Sequence, residues 1–595
     1  MAGMDKDRYV AVIDQDKVTD EVRDIATKYD PLNRSGRGEG FHVDDDGELH
    51  IDDENVMEEH RLIEKKIPND AVKILRLPVE EGQLVHQYGE NSFRLYELPA
   101  PVEGQVVGLL GRNGVGKSTA LQILAGLLTP NLGGYDEQPA MDDVIDRFRG
   151  TAIQNHLEAV RDGEVDAAYK PQQVDRIPDQ HSGTVHDLLA ENDEQDRLDE
   201  LAAALEIETV LDRSLDDLSG GELQRVAVAA TLLQDADLYL VDEPSSYLDI
   251  GQRLSLAELL REVAADGAKV VVVEHDLAAL DLLADTVHLL YGEPGGFGVV
   301  SNPLSVKNGI NRFLEGELPD ENLRIRDEAI DFHTRKERRV DTEQEILSFP
   351  AMEKSFDTFS LETAAGSIHE QEVLGVLGRN ALGKTTFAKM LAGELQPDTA
   401  TVDVAASISY KPQYIDTEFD GTVRMLLRQE ADIHSQRFKT RIKNPFDLEQ
   451  LYENRVQDLS GGELQRVGIA AALGRDADMY LLDEPSAYLD VDRRVQLAKQ
   501  LRTFVEAEET ACMVIDHDLM LLDYVADRSI VFHGEPGVEG RATAPLGAAD
   551  GINRFLADIG ITFRRDPDTG RPRANTPGSQ KDEEQKDEED FFAAD

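Results

Sequence analysis

The chain has 595 residues, with 61 Lys+Arg against 118 Asp+Glu, a formal net charge of -57 and a single cysteine, Cys512. That length allows several domains, each with its own core. The charge is opposite in sign to the basic footprint of a nucleic-acid binder, and one thiol excludes an intramolecular disulfide or a cysteine-ligated cluster. The acid is spread along the whole chain, as expected of adaptation to molar salt, where the Debye length falls to ~3 Å and self-repulsion is screened. No apolar run of about 18 residues occurs and MAGMDKDRYV does not read as a leader. The expectation is a soluble, cytoplasmic protein with no membrane part.

Residues 1–75 are polar and acidic, with strand-like runs at Tyr9–Ile13 and Val72–Leu75. The apolar run Val106–Leu110 then leads into GRNGVGKST (Gly111–Thr119) and a helical pattern. This is the strand–loop–helix context of a P-loop. Its backbone N–H groups, around Gly111, Asn113, Gly114, Gly116 and Thr119, and the helix N-terminus would cradle phosphate. Lys117 would neutralise the β/γ-phosphates and Ser118 would offer its hydroxyl to Mg²⁺. Next comes MDDVIDRFRGTAIQNHLEAV (Met141–Val160). Val144, Ile145 and Phe148 have helical spacing, Gly150 breaks it and a second helical pattern follows, so a helix–loop–helix is expected. Then follow Gln172 in KPQ, LSGGELQR (Leu218–Arg225), LYLVDEPSSYLD (Leu238–Asp249) and VEHD (Val273–Asp276).

The same set returns in the same order. The run Val373–Leu377 precedes GRNALGKTT (Gly378–Thr386), followed by Gln413 in KPQ, LSGGELQR (Leu459–Arg466), MYLLDEPSAYLD (Met479–Asp490) and IDHD (Ile515–Asp518). Lys117 and Lys384 are 267 residues apart, and each signature serine lies 23 residues before its Walker B aspartate. GEPG and GINRFL also occur twice. A duplicated domain explains this register. Lys117 to Gln172 is 55 residues but Lys384 to Gln413 is 29, so the first copy carries an insertion of 26 residues that holds the helix–loop–helix. In the second P-loop, which includes Gly378, Asn380, Gly383, Lys384, Thr385 and Thr386, Ala381 stands where glycine is usual. A methyl there is tolerable if φ is negative.

LYLV and MYLL read as buried parallel strands ending in Asp242-Glu243 and Asp483-Glu484. Both carboxylates then lie at strand C-termini, facing the nucleotide. Asp242 and Asp483 would hold Mg²⁺ through water, with Ser118, Thr385, Gln172 and Gln413 completing the metal set. Glu243 and Glu484 would polarise the attacking water, because phosphoryl transfer depends on positioning and charge stabilisation. His275 and His517 would hydrogen-bond the γ-phosphate or that water. In each signature, Ser219-Gly220-Gly221 and Ser460-Gly461-Gly462 open a helix whose amides can bind phosphate. The motif set is that of ATP-binding-cassette (ABC) proteins, in which this helix serves the partner cassette's nucleotide. The resemblance implies composite sites: Lys117, Gln172, Asp242, Glu243 and His275 with Ser460 and Gly462, and Lys384, Gln413, Asp483, Glu484 and His517 with Ser219 and Gly221.

The flanking segments resemble one family, the RNase L inhibitor (Rli) family, subfamily E of the cassette proteins, which are archaeal and eukaryotic ribosome-recycling ATPases. The carrying segments are YGENSFRLYELPAP (Tyr88–Pro101), FRG (Phe148–Gly150), YKPQQVDRIP (Tyr169–Pro178), GINRFLEGELPDENLRIRD (Gly309–Asp327) and ITFRRDPDTGRPR (Ile561–Arg573). The resemblance, haloarchaeal in its acidity, covers nearly the whole chain. It implies an α/β architecture of two tandem ABC-type P-loop domains behind a ferredoxin-like, α+β N-terminal domain. It also implies that Tyr88 or Phe93 stacks on the first adenine, and Phe356 or Phe359 on the second. Family members carry eight cysteines for two [4Fe–4S] clusters in that N-terminal domain. Here Met57, His60, Ile63 and Ile67 stand at the last four positions, and Val22, Ala26 and Asp30 at three of the first group, with the fourth near Lys17 or Val18. No cluster is expected.

The expected domains are 1–78, a degenerate ferredoxin-like domain; 79–308, the first cassette with its insertion at about 136–161; 309–340, a hinge; 341–546, the second cassette; 547–578, a second hinge; and 579–595, a disordered acidic tail. By resemblance, the partners are the ribosome, above all the small subunit and its rRNA, and release or initiation factors. Arg564, Arg565, Arg571 and Arg573 form a rare basic cluster, either for rRNA or for ion pairs within the hinge. The leading expectation is an ATPase that couples cassette closure to ribosome recycling. The alternative is a cluster-free paralogue that docks on ribosomes or initiation factors without splitting them. A transporter's energising subunit is disfavoured by the tandem fusion, the hinges and the N-terminal domain.

Overall fold

The structure is a computed structural model. It describes residues 8–593 except 37, 39, 68, 78–81, 136–137, 320–322, 327–328, 331, 333–343, 400–405 and 414–418. Much of the expected hinge at 309–340 and the expected first-domain end at Pro78 therefore lie outside the described residues. The chain forms two compact units. The first comprises residues 1–244, 258–275 and 283–329; the second comprises 245–257, 276–282 and 330–595.

The first unit opens with strand β1 (Tyr9–Ile13), helix α1 (Asp20–Tyr29) and strand β2 (Val72–Arg76). β1 and β2 pair antiparallel. Thr19 caps α1 by accepting the Val22 N–H, and Val22 and Ala26 point into a core with Val18, Ile63 and Ile67.

Strands β3 (Leu84–Gln87), β4 (Arg94–Tyr96) and β5 (Val106–Gly111) begin the first cassette. Helix α2 (Lys117–Leu124) follows the P-loop. Residues 141–162 form helices α3 (Met141–Arg147) and α4 (Gln154–Asp162), with Gly150 at φ +83° between them. Val144, Ile145 and Phe148 are buried in the cassette core with Leu157. Strand β6 (Ala167–Lys170), helix α5 (Gly220–Leu232), and strands β7 (Leu238–Asp242), β8 (Lys269–Val273), β9 (Thr286–Glu293) and β10 (Phe297–Val300) complete it, whereas helix α6 (Leu277–Leu283), which follows β8 in the chain, belongs as far as Leu282 to the second unit. The sheet order is β3-β4-β10-β9-β5-β8-β7-β6. β9, β5, β8, β7 and β6 run parallel, so their C-terminal ends share one edge, where P-loop and Walker B side chains meet.

The second cassette repeats this plan with β11 (Val373–Gly378), α7 (Lys384–Leu391), β12 (Ile408–Lys411), α8 (Gly461–Gly474), β13 (Met479–Asp483), β14 (Ala511–Ile515) and β15 (Arg528–Glu535). β11 lies between β15 and β14, again parallel. Near-continuous apolar sequence on β5, β7, β11 and β13 reflects burial on both faces.

The end of the chain corrects an expectation. Residues 579–595 were expected to be disordered, but helix α9 (Gln580–Asp587) and strand β18 (Phe592–Ala593) form there. Together with β16 (Phe563–Arg565) and β17 (Pro572–Ala574), β18 makes a three-stranded sheet. A few residues outweigh the charge. Asp582 is buried and accepts from Thr562 Oγ1 at 2.7 Å, and Gln585 donates to the Phe563 carbonyl at 3.0 Å. Phe592 joins the apolar core of the second unit.

Three arginines of the basic cluster in this region, Arg565, Arg571 and Arg573, are held in ion pairs. Arg571 is fully buried against Asp281, 2.6 Å away; Arg573 reaches the same carboxylate at 3.3 Å, and Arg565 pairs with Asp523 at 2.8 Å. Asp281 lies on α6, so the partner comes from outside the hinge sequence.

Candidate nucleotide sites

Each P-loop turns through positive φ: Gly114 at +77° and Gly116 at +94°, Ala381 at +58° and Gly383 at +89°. The condition placed on Ala381 is thus not met. Its methyl sits in the left-handed region, at a cost of about 1–2 kcal/mol relative to glycine. The loop is built around its lysine. Lys117 Nζ donates to the Gly111 and Arg112 carbonyls at 3.0 and 2.7 Å. Lys384 Nζ donates to Gly378 and Arg379 at 2.8 and 2.7 Å. Burial pushes the Lys384 ammonium down to about 8.

The Walker B strands bring their carboxylates beside these loops. Ser118 Oγ donates to Asp242 Oδ2 at 2.7 Å and Thr385 Oγ1 to Asp483 Oδ2 at 2.8 Å. Asp483 Oδ1 is buried with no hydrogen-bond partner. A buried, orphaned carboxylate oxygen beside a P-loop hydroxyl is the donor set a hard divalent cation takes. Burial and the adjacent Glu484 push the Asp483 carboxyl up to about 6, and burial and Glu243 raise Asp242 likewise.

Gln172 Nε2 donates to Glu243 Oε1 at 2.8 Å and Gln413 Nε2 to Glu484 Oε1 at 2.9 Å. His275 Nε2 lies 3.2 Å from Glu243 Oε1, and His517 Nε2 3.6 Å from Glu484 Oε1. Burial raises the Glu243 carboxyl, but His275, Lys117 and Lys170 outweigh it and bring it down to about 2. Glu484 is lowered too, by His517, Lys384 and Gln413 against burial. Both glutamates are therefore held as carboxylates, able to accept a hydrogen bond from a water. Both also stand in the left-handed region, at φ +48° and +46°, a strain of order 1–3 kcal/mol of the kind that clusters at functional sites.

In each signature, Ser219 and Ser460 are the N-caps of α5 and α8. Each hydroxyl donates to the glutamate three residues on, at 2.7 Å, and each backbone N–H reaches the same carboxylate. A Cβ on Gly461 would come within 2.9 Å of the Tyr488 ring, so the signature glycine is required by close approach. Tyr88 Oη lies 3.1 Å from Thr119 Oγ1 and its ring is exposed; Phe93 packs against Gly116. Phe356 is exposed and stacks on Phe359, which packs against Gly383.

Sequence reasoning missed five contributors. Asp249 Oδ2 accepts the Asn380 N–H at 2.9 Å, inside the second unit. Lys170, Lys411, Gln224 and Gln465 are buried against the Walker B backbone. Each lies within or beside a quoted motif, but a lysine or glutamine in a run carries no mark of which carbonyl it will meet.

The N-terminal domain does not fit an iron–sulfur cluster. Val22, Ala26, Ile63 and Ile67 are buried apolar side chains at positions where thiolates would be needed. Asp30 and His60, both fully buried, face each other with Nε2–Oδ2 at 3.1 Å. The Met57 N–H donates to His60 Nδ1 at 3.0 Å, so Nε2 carries the proton and donates to Asp30. Asp30 also accepts from the Leu32, Asn33 and Phe41 amides. By the family resemblance Asp30 stands last in chain order in the first group and His60 lies in the second, so the pair bridges the two groups, as the last ligand of a group does in two-cluster ferredoxins.

These features define a twin-cassette ABC-type ATP hydrolase. The ABC transporter family model matches residues 101–246 and 361–487. The chain is 46% identical over 591 residues to an uncharacterized ABC transporter ATP-binding protein of Methanocaldococcus jannaschii, covering 98% of each. It is 43% identical over 542 residues to translation initiation factor RLI1 of Saccharomyces cerevisiae, covering 89% of each. A chain of a structure described as ribosome-bound archaeal Pelota and ABCE1 matches with TM-score 0.94 and 46% identity, over 99% of this chain and 100% of that one. The chain belongs to the RLI1/ABCE1 family, subfamily E of the cassette proteins. Among the described residues, no helix is long and apolar enough to cross a membrane.

Proposed function

We propose that this protein is a cytoplasmic, Mg²⁺-dependent ATPase that binds the ribosome through its small subunit and couples cassette closure to ribosome recycling. The observation that carries the reading is the pair of intact Walker B arrangements, each an anionic glutamate with its glutamine and histidine, on a chain similar over 89% of its length to a translation initiation factor and over 99% to a chain of a ribosome-bound Pelota and ABCE1 structure. Ser118, Gln172 and Asp242 would hold Mg²⁺ in the first site, and Thr385, Gln413 and Asp483 in the second. The cation would neutralise charge on the β- and γ-phosphates. Tyr88, Phe93 and the P-loop residues bind the nucleotide, Glu243 and Glu484 accept the proton of the attacking water, and His275 and His517 orient it. Ser219 with Gly221 serves the second nucleotide, and Ser460 with Gly462 the first. ATP then favours a closed state and hydrolysis releases it.

The replaced cluster positions favour a second reading, a family member that occupies ribosomes or initiation factors without splitting them. One experiment separates the two. Purified 70S particles in molar KCl are incubated with the protein and ATP or a non-hydrolysable analogue, then sedimented. ATP-dependent dissociation with retention on 30S under the analogue supports recycling. Occupancy without dissociation supports docking alone. Absence of co-migration under every nucleotide overturns both.

A further inference from the structure

The Walker B strand ends in a turn that its own sequence disfavours. Glu243 has φ +48° and Glu484 φ +46°. Each is followed by proline, Pro244 or Pro485, whose ring pushes the preceding residue toward extended backbone. The turn therefore depends on outside contacts, and the same ones occur in both cassettes. The Glu243 N–H donates to the Val273 carbonyl at 2.9 Å and the Glu484 N–H to Ile515 at 2.8 Å. Lys170 Nζ donates to the Asp242 carbonyl at 2.8 Å and lies 3.5 Å from that of Glu243; Lys411 Nζ donates to Asp483 at 2.9 Å. Gln224 Nε2 donates to the Glu243 carbonyl at 2.8 Å, and Gln465 Nε2 to Glu484 at 2.5 Å.

All four side chains are at most 3% exposed. Burying an ammonium is costly unless it is well satisfied, and a carbonyl accepts a charge-assisted hydrogen bond strongly. None of the four reaches the P-loop by a described hydrogen bond. Lys170 stands two residues before Gln172, and Gln224 lies on the helix that the signature serine opens.

We propose that Lys170 with Gln224, and Lys411 with Gln465, are positioning residues that clamp the left-handed turn and so aim the Walker B glutamate at the attacking water. The clamp acts on the backbone of the glutamate, while Gln172 or Gln413 and the histidine act on its carboxylate. Losing the clamp leaves nucleotide binding intact and misplaces the base. Misplacement by a fraction of an ångström is enough to slow a positioned reaction.

The test uses the full chain in molar KCl. Two near-isosteric variants are made, each changed in both cassettes: Gln224→Met with Gln465→Met, and Lys170→Met with Lys411→Met. The expected result is a fall in kcat of about 10- to 100-fold with KM for ATP within about threefold. Hydrogen exchange should rise by about tenfold or more in peptides spanning 242–248 and 483–489 and remain unchanged in the P-loop peptides. A folded variant of either pair with wild-type kcat overturns the proposal. So does a raised KM with kcat unchanged, which would make these groups binding contacts. If the lysine variant does not fold, the glutamine pair decides alone.

Discussion

In the first cassette the P-loop turns through Gly114 at φ +77°, and in the second through Ala381 at φ +58°. Behind the Walker B strand, Glu274 folds back to accept the His275 N–H at 2.7 Å, whereas the shorter Asp516 ties down Ser486 through its amide and hydroxyl at 3.0 and 2.7 Å. Around the γ-phosphate side, by contrast, the two sites match group for group, within a few tenths of an ångström. Duplication has kept the charged constellation and let the supporting backbone diverge. That is the expected division where catalysis rests on aimed charge, while loop strain of about 1 kcal/mol is absorbed elsewhere in a cassette.

The comparison breaks most directly at the glutamates. Glu243→Gln together with Glu484→Gln should lower ATP turnover by about 10²–10⁴-fold. Each single variant, measured by phosphate release, shows how unequally the sites share the flux. Equal single effects would mean that the backbone differences do not reach the chemistry.

A control lies outside both sites. His60→Leu removes one of four hydrogen bonds to the buried Asp30 carboxylate, which keeps the Leu32, Asn33 and Phe41 amides, and should cost about 1–3 kcal/mol in the N-terminal domain, read by urea unfolding. The ratio of the two single-glutamate effects should not move. Smaller and of opposite sign are the P-loop exchanges. Gly114→Ala should destabilise by about 1–2 kcal/mol, because a Cβ there would lie 3.3 Å from Pro294 as well as at positive φ. Ala381→Gly should stabilise by up to about 1 kcal/mol, net of the added chain entropy. Thermal unfolding of the two variants checks the sign.

The finest test needs no change in stability. Burial pushes the Cys512 thiol up to about 12, and Cys512 is buried on β14 of the second cassette. Maleimide labelling at pH 8 should be negligible in the folded protein and should report the opening of that cassette. ATP at the second site should slow it further.

Much of both sites was legible in the sequence, because phosphate chemistry demands fixed residue types at fixed spacing. GRNGVGKST, LSGGELQR and DEP name their residues without any fold. The left-handed glutamates were not legible, since a φ angle follows from the strand that follows and the side chains beneath it. Ala381 was misjudged for the same reason. The acidic end was misjudged because net charge counts every carboxylate alike, while Asp582 alone is enclosed by Thr562, Gly578 and Lys586.

By itself, the sequence determined that there are two ATP sites, that each copy carries the same charged set, and that no cysteine-ligated cluster can form. Spacing and residue count are one-dimensional properties, so they need no fold to be read. Tertiary structure alone decided where the remaining polar groups went. It put Arg571 against Asp281, His60 against Asp30, and Lys170 and Lys411 under the Walker B turns. Those pairings join residues far apart in the chain, and the cost of leaving a buried charge or carbonyl unmet selects them only once the core has closed.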